Sequence, residues 1–402
     1  MTPQTTTGTL PEIKHNPVDP DLFEGGPPRR LERSLGLIKP HDPGIKRRVI
    51  FFVLASWLPV AVLVLIRGLT DPQSGVVRGF LSDAATHVRF LVALPVFVIA
   101  ERDCLPRLGQ IMRHMTDVNL IRGEDMPRFR DAISSTKRLL DSKSMELLTV
   151  IAAYAILVAL VYMFPEGQYK VWQKSQSSNQ FPISAAGWWH VLVSLPLLLV
   201  IVIGWIWRVL LWGRLQFLVS RLDLRLIPGH PDHCGGLKFV SSSLRAFRMV
   251  AFGLGSLVSG VAINRVIHFH EGFDIFKGIA IGLVAVVVIL FTGPLVVYIR
   301  TLRHAHHRGM FEYGMLARNV GEQFEQKWLK RPIDPSSLEV PDFSATTDLY
   351  GVVANVYAMD EVPFSLKSVG LLVLAALLPL LPAALLVMPL KEIFEDLVKL
   401  IL

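Results

Sequence analysis

Apolar residues in this chain gather into long continuous runs, with neither the alternation of a strand nor the single stripe of a surface helix. Seven runs approach the roughly 20 residues that span a bilayer's hydrocarbon core. They are residues 49–66 (VIFFVLASWLPVAVLVLI), 84–100, 147–164, 188–211, 246–266, 276–299 and 369–388. Two of them are weak: the second contains His87 and Arg89, and the fifth contains Arg248, Asn264 and Arg265. The pattern predicts an all-α, polytopic membrane protein of about seven transmembrane helices, occupying residues 49–388.

Charge tests the count independently, because cytoplasmic loops of membrane proteins are enriched in Lys and Arg. With seven helices, the segments on the N-terminal side (1–48, 101–146, 208–245 and 300–368) hold eight, nine, six and eight such residues. The segments on the other side hold two each when Arg265 and Lys277 are counted at their helix edges. Thirty-one against eight is a consistent alternation, and deleting either weak helix would put strongly basic loops on both sides. The N-terminus is therefore expected in the cytoplasm and the C-terminus outside, in a cell inner membrane.

The intervening polar segments add detail. Residues 1–48 contain HNPVDPDLFEGGPPRR, which reads as a loosely attached cytoplasmic tail with no small-residue cleavage site. Segment 101–146 has helical periodicity broken at Arg122-Gly123 and is expected to continue the second helix into the cytoplasm. Segment 300–368 shows a helical stretch, a proline-marked linker and a short helix near 348–359. Residues 389–402 place Leu390, Ile393, Phe394, Leu397 and Ile401 on one face, as expected of an amphipathic helix in the membrane interface.

Composition agrees with this class: 51% of the residues are hydrophobic and 18% charged, with a mean hydropathy of +0.45, against about 25% charged for a soluble domain. The formal charge of +8 is explained by the loop asymmetry, and no nucleic-acid partner is expected. Two cysteines, Cys104 and Cys234, both on the expected cytoplasmic side, make no disulfide framework. Phosphate-binding Gly-rich loops and nucleophile elbows are absent, so an enzyme is the less favoured class.

One loop concentrates chemistry. LIPGHPDHCGGLKF places His230, Pro231, Asp232, His233 and Cys234 before Gly235 and Gly236. Together with His304, His306 and His307 at the end of the sixth helix, these donors would suit zinc or another transition metal. The spacing, with no Cys-x-x-Cys and no His-x-x-x-His, favours a structural turn, and no cofactor is otherwise expected. The HAHH run also reads as part of a basic collar with Arg300, Arg303 and Arg308.

This loop, the segment TTDLYGVVANVYAMDEVPF and the ending LPLLPAALLVMPLKEIFEDLVKLIL resemble a family of bacterial multi-pass membrane proteins of uncharacterised activity. That family carries a His-Pro-Asp-x-x-Gly-Gly-Leu element after its fourth helix. The resemblance implies a matching topology and assigns His230, Pro231, Asp232, Gly235, Gly236 and Leu237 to the element, with His233 and Cys234 at its variable positions. It implies no reaction.

Inside the bilayer, charge is costly and points to a partner or a watery path. Asp83 and His87 are expected on one helix face, with Arg89 projecting elsewhere. Pro59, Pro95, Pro196, Pro294, Pro379 and Pro382 interrupt five helices, as in transporters, although residues 49–164 and 188–299 show no similarity as inverted repeats. Gly255, Ser256, Ser259 and Gly260 would let another helix approach closely, within the chain or in a homo-oligomer. The leading expectation is a channel or transporter-like conduit for a small solute or ion. The alternatives are a signalling scaffold that docks a cytoplasmic protein, and a membrane metalloenzyme built on the His/Cys/Asp loop.

Overall fold

The computed structural model describes residues 22–39, 44–163, 170–175, 183–269, 273–329 and 342–387. Among the described residues the secondary structure is helical apart from two isolated bridges, Ile121 with Leu224 and Lys174 with Ile183. The helices in chain order are α1 (Arg29–Ser34), α2 (Ile45–Thr70), α3 (Ala84–Asp117), α4 (Met126–Leu140), α5 (Lys143–Leu160) and α6 (Ala185–Ser220). They continue as α7 (Lys238–Ile267), α8 (Ile275–Val296), α9 (Ile299–Trp328), α10 (Asp342–Tyr357) and α11 (Leu366–Leu386). Seven of these, α2, α3, α5, α6, α7, α8 and α11, are long and apolar enough to cross a membrane, one for each run in the sequence.

The two weak runs have a physical explanation. Half of the α3 segment and 56% of the α7 segment are enclosed by protein, against 22% of α2 and 17% of α5. Polar side chains on the central helices meet protein, whereas the peripheral helices must present apolar surface to lipid. Helix α7 packs between α3 and α11, and α6 packs against α4, α5 and α8.

Helices α3 and α6 overrun their apolar segments at the same end. Their extensions pack with α4, the 224–237 loop and the start of α7 in one continuous core that includes Leu108, Met112, Phe129, Leu215 and Leu237. Helix α9 continues beyond α8 and pairs with α10 outside the membrane segments. Residues 389–402, expected as the interfacial helix, lie outside the described residues.

The first polar segment differs from expectation. From Leu22 onward it is packed rather than loose: Leu22 and Phe23 are fully buried, and the Phe23 ring meets Trp212 edge-on at 5.6 Å. A two-residue apolar anchor inside a Pro/Gly-rich stretch is too short to produce any periodicity.

The structure also reveals a duplication. Residues 83–95, DAATHVRFLVALP, and 184–196, SAAGWWHVLVSLP, share Ala84/Ala185, Ala85/Ala186, Leu91/Leu192, Val92/Val193, Leu94/Leu195 and Pro95/Pro196 without a gap. Both begin with an N-cap, where Asp83 accepts from the Thr86 N–H and Ser184 from the Gly187 N–H. Both then widen into a π-helical stretch, Val88–Ala93 and His190–Ser194, before the Leu-Pro pair. The repeat thus relates α3 to α6 in the same orientation, and it equates Arg89 with His190.

Two of the carbonyls freed by proline are taken up by neighbouring helices. Pro59 cannot donate to Ala55, and the Ala55 carbonyl accepts instead from Trp189 Nε1 at 3.0 Å. Pro196 likewise frees Leu192, whose carbonyl accepts from the Tyr154 hydroxyl at 3.0 Å. The Ser56 carbonyl accepts from Ser194 Oγ at 2.6 Å. Of the two roles open to the small residues of α7, the internal one is realised. A Cβ at Gly255 would collide with the Ala376 carbonyl, Gly260 faces Ala85, and Ser259 Oγ donates to the Pro379 carbonyl.

Candidate functional site

Two enclosed charge clusters lie at opposite ends of α2, α3 and α6. The first surrounds Asp83, which is 1% exposed at the start of α3. Its carboxylate accepts from Thr86 Oγ at 2.6 Å, Asn264 Nδ2 at 2.8 Å and Trp172 Nε1 at 3.2 Å, and it pairs with the Lys170 ammonium. Burial alone would raise the carboxyl, but Lys170, Thr86 and Asn264 outweigh it and hold Asp83 well below the usual carboxylate range. One residue thus ties α3 to α7 and to the 170–175 loop.

His87 is not joined to Asp83, although four residues separate them. Trp57 Nε1, which can only donate, lies 3.0 Å from His87 Nδ1. His87 Nε2 lies 2.9 Å from the Phe80 carbonyl, so the partners assign a neutral ring with its proton on Nε2. The imidazole is a bracket between α2 and the chain entering α3.

Arg89 sits on the first π-helical stretch, partly buried, with no hydrogen bond or ion pair among the described residues. Its repeat counterpart, His190, is 3% exposed with Nδ1 unpartnered. The His190 ring meets Trp172 edge-on at 5.3 Å and Phe90 at 5.6 Å, within electrostatic reach of Arg89, Asp83 and Lys170. Sequence reading missed His190 because a lone histidine in an apolar run carries no pattern. The register shared with Arg89 was the available signal.

The second cluster was not anticipated. Arg48 at the start of α2 bridges Glu32 of α1 and Glu101 of α3, each at 2.7 Å. Arg208 of α6 pairs with Glu101 at 3.2 Å and donates to the Gly25 carbonyl through Nε and Nη2 at 3.3 and 3.1 Å. All four side chains are essentially excluded from solvent. Glu32, outside the spanning helices, is pushed up to about 7, by burial first and by Glu101 second, with Arg48 opposing. These contacts hold the N-terminal segment onto the bundle.

The His230–Gly236 loop is built around Asp232. Its carboxylate accepts from the N–H groups of Cys234 at 2.8 Å, Gly236 at 3.0 Å and Lys238 at 3.1 Å, with His230 Nδ1 at 2.8 Å. Burial works against ionisation, yet these bonds hold the Asp232 carboxyl below its ordinary value. His233, Gly235 and Gly236 take positive φ values of 55°, 63° and 90°, which tighten the turn. The loop grips the chain after α10: Asp360 N–H donates to the His233 carbonyl at 2.7 Å, and Cys234 Sγ lies 3.6 Å from the Val362 carbonyl. Burial pushes the Cys234 thiol up to about 12, so it stays protonated.

His304, His306 and His307 line a separate cleft of ≈ 700 Å³ with Arg300, Arg303 and Glu361. Among the described residues no three His, Cys, Asp or Glu side chains converge on a common metal position, so the donors weighed in the sequence are not brought together.

The bundle and its two enclosed clusters define a multi-pass α-helical membrane protein. No family model matches the chain, and neither a curated protein nor a solved structure matches it.

Proposed function

We propose that the bundle is a conduit for a small charged solute or ion in a cell inner membrane, with the Arg48 cluster and basic loops cytoplasmic and the Asp83 cluster outside. The observation that carries this reading is the placement of two charge clusters on the same three helices, separated by an apolar stretch. Arg89 and Glu101 are twelve residues apart on α3, about 18 Å at 1.5 Å per residue. Phe52, Leu94, Phe97, Leu198 and Ile201 between them are buried. In this reading the chain is in a closed state, with one enclosed charge cluster at each end of the apolar stretch. Arg89, and His190 through Nδ1, have no hydrogen-bond partner among the described residues and meet the solute, while Asp83, with its several partners, fixes the wall of the path.

Proteoliposomes test it. Flux of small ions through the wild type is expected to fall at least tenfold in Arg89→Ala, about one lost charge-assisted hydrogen bond, and to recover in part with Arg89→Lys. Undiminished flux in folded Arg89→Ala protein would remove Arg89 from the path.

A second reading, docking of a cytoplasmic protein, is favoured by the apolar side chains of Phe311, Met315 and Leu316 that α9 leaves exposed beyond the membrane segments.

A further inference from the structure

The end of the bundle that carries Asp83 holds more positive than negative charge. Among the described residues Asp83 is the one acid within electrostatic reach of Arg89, Lys170 and His190. Its carboxylate is filled. Oδ1 accepts from the Lys170 ammonium, from Asn264 Nδ2 at 2.8 Å and from the Thr86 N–H at 3.3 Å. Oδ2 accepts from Thr86 Oγ1 at 2.6 Å and Trp172 Nε1 at 3.2 Å. These donors already exceed the roughly four lone-pair sites of a carboxylate, so none is left for a further cation.

Donors, in contrast, stand unused. Arg89, which can only donate, makes no hydrogen bond or ion pair among the described residues, and its side chain is partly buried on the π-helical stretch Val88–Ala93. His190 opens the equivalent stretch of α6, 3% exposed, with Nδ1 unpartnered. The Trp172 and Phe90 rings meet the imidazole edge-on, so packing fixes the ring with that nitrogen open. A neutral imidazole can carry its proton on Nδ1 and donate from there. A buried polar nitrogen without a partner has a desolvation cost that native structures rarely leave uncompensated.

We propose that Arg89 and His190 form a binding site for a small monovalent anion, and that this anion is the solute of the conduit. Its transport rests on the conduit reading; its binding does not. Arg89 supplies the charge and the His190 Nδ1–H a neutral donor. Lys170 is held by Asp83, which leaves the enclosed cluster with an excess of one positive charge, that of Arg89. A cation would meet two like charges and a filled carboxylate, and a dianion would leave one enclosed negative charge unmatched. The duplicated segments explain the placement. Arg89 and His190 occupy the same position of the repeat, each where its helix widens, and Phe90, the residue after Arg89, touches His190. Such π-helical turns recur at functional sites.

Two measurements on the full chain test it, with chloride as the probe. Equilibrium dialysis of the detergent-purified protein against radiolabelled chloride is expected to show saturable binding, weakened about tenfold in Arg89→Gln and in His190→Phe and largely kept in Arg89→Lys. In proteoliposomes under a potassium chloride gradient, the zero-current potential of the wild type is expected to lie towards the chloride equilibrium, and Arg89→Gln to move it towards zero. Potassium-selective or unselective conduction would overturn the anion assignment and leave the conduit reading standing. Absence of any flux would sink the conduit reading, and dialysis would then decide the site alone. No saturable chloride binding, or equal binding in both neutral variants, would overturn the site. Should the variants fail to fold, chloride binding and ion preference of the wild type still decide between these outcomes.

Discussion

Asp83 and Glu32 are both buried carboxyl groups, and their surroundings drive them in opposite directions. Asp83 faces one ammonium and four neutral donors, so its folded value is depressed. Its contribution to stability is present above the ordinary carboxylate range and is lost only in strong acid. Glu32 shares Arg48 with Glu101, and its carboxyl is raised from 4.5 to about 7. The folded protein therefore keeps a proton that the unfolded chain releases. That contribution is complete below about pH 4.5 and disappears as pH rises through about 7. The thermal midpoint of the wild type is expected to fall between about pH 5 and pH 7.5, and Glu32→Gln to flatten the fall. A parallel pH profile in the variant would assign the titration to another group. Asp83 was legible as an acid at a helix start, but Glu32 was not, because its partners Arg48 and Glu101 are brought to it only by packing.

Among elements, the repeated segments opening α3 and α6 show how proline is accommodated in a membrane helix. The Ala55 carbonyl, freed by Pro59, is satisfied by Trp189 of the neighbouring helix. Trp189→Phe is expected to cost about 1 kcal/mol in unfolding free energy. In a Pro59→Ala background, where Ala55 regains an intrahelical donor, the same change should cost less, and an equal cost in both backgrounds would sink the account. The prolines were visible as interruptions. Capping of their carbonyls by Trp189 and Tyr154 depends on which helices are neighbours, and that turns the interruptions from open ligand sites into closed joints. The Asp232 loop follows the same logic, since one carboxylate gathers three N–H groups within a few residues. Asp232→Ala is expected to lower stability by about 2 kcal/mol or more and to expose the chain near Asp360 to protease, whereas His233→Ala leaves protection nearly unchanged. If His233→Ala proved the more damaging, the loop's histidines would have a role beyond the turn. The composition of this loop offered metal donors while its spacing favoured a turn, and the structure shows an Asp-centred turn that clamps the segment after α10.

For the whole molecule, the two halves of the His-rich region flank the same segment, residues 360–362, without converging on a common metal position among the described residues. The His230 loop closes on the α10 end, while His304 to His307 line their own basic cleft on α9. Phe311, whose ring meets His307 of the same helix edge-on at 5.0 Å, lies with Met315 and Leu316 on an exposed apolar surface of that helix. If a cytoplasmic protein docks there, it is expected to co-purify with the wild type and to be lost from a Phe311→Ser, Met315→Ser variant that remains folded. Retention in that variant would move the docking surface elsewhere.

Hydrophobic run length and loop charge suffice to read seven spanning segments, because the cost of burying polar backbone and charge in lipid acts on each segment separately and leaves a local trace. The overrun of α3 into its extension and the break before α4 were readable for the same reason, as local periodicity. The tertiary structure alone decided which polar residues are partners. Arg48, Glu101 and Arg208 lie in three helices far apart in sequence, and His190 acquires meaning only beside Arg89 and Trp172. Long-range pairing of buried charges is fixed by the geometry of packing, and a one-dimensional pattern records each charge but not the partner that makes its burial tolerable.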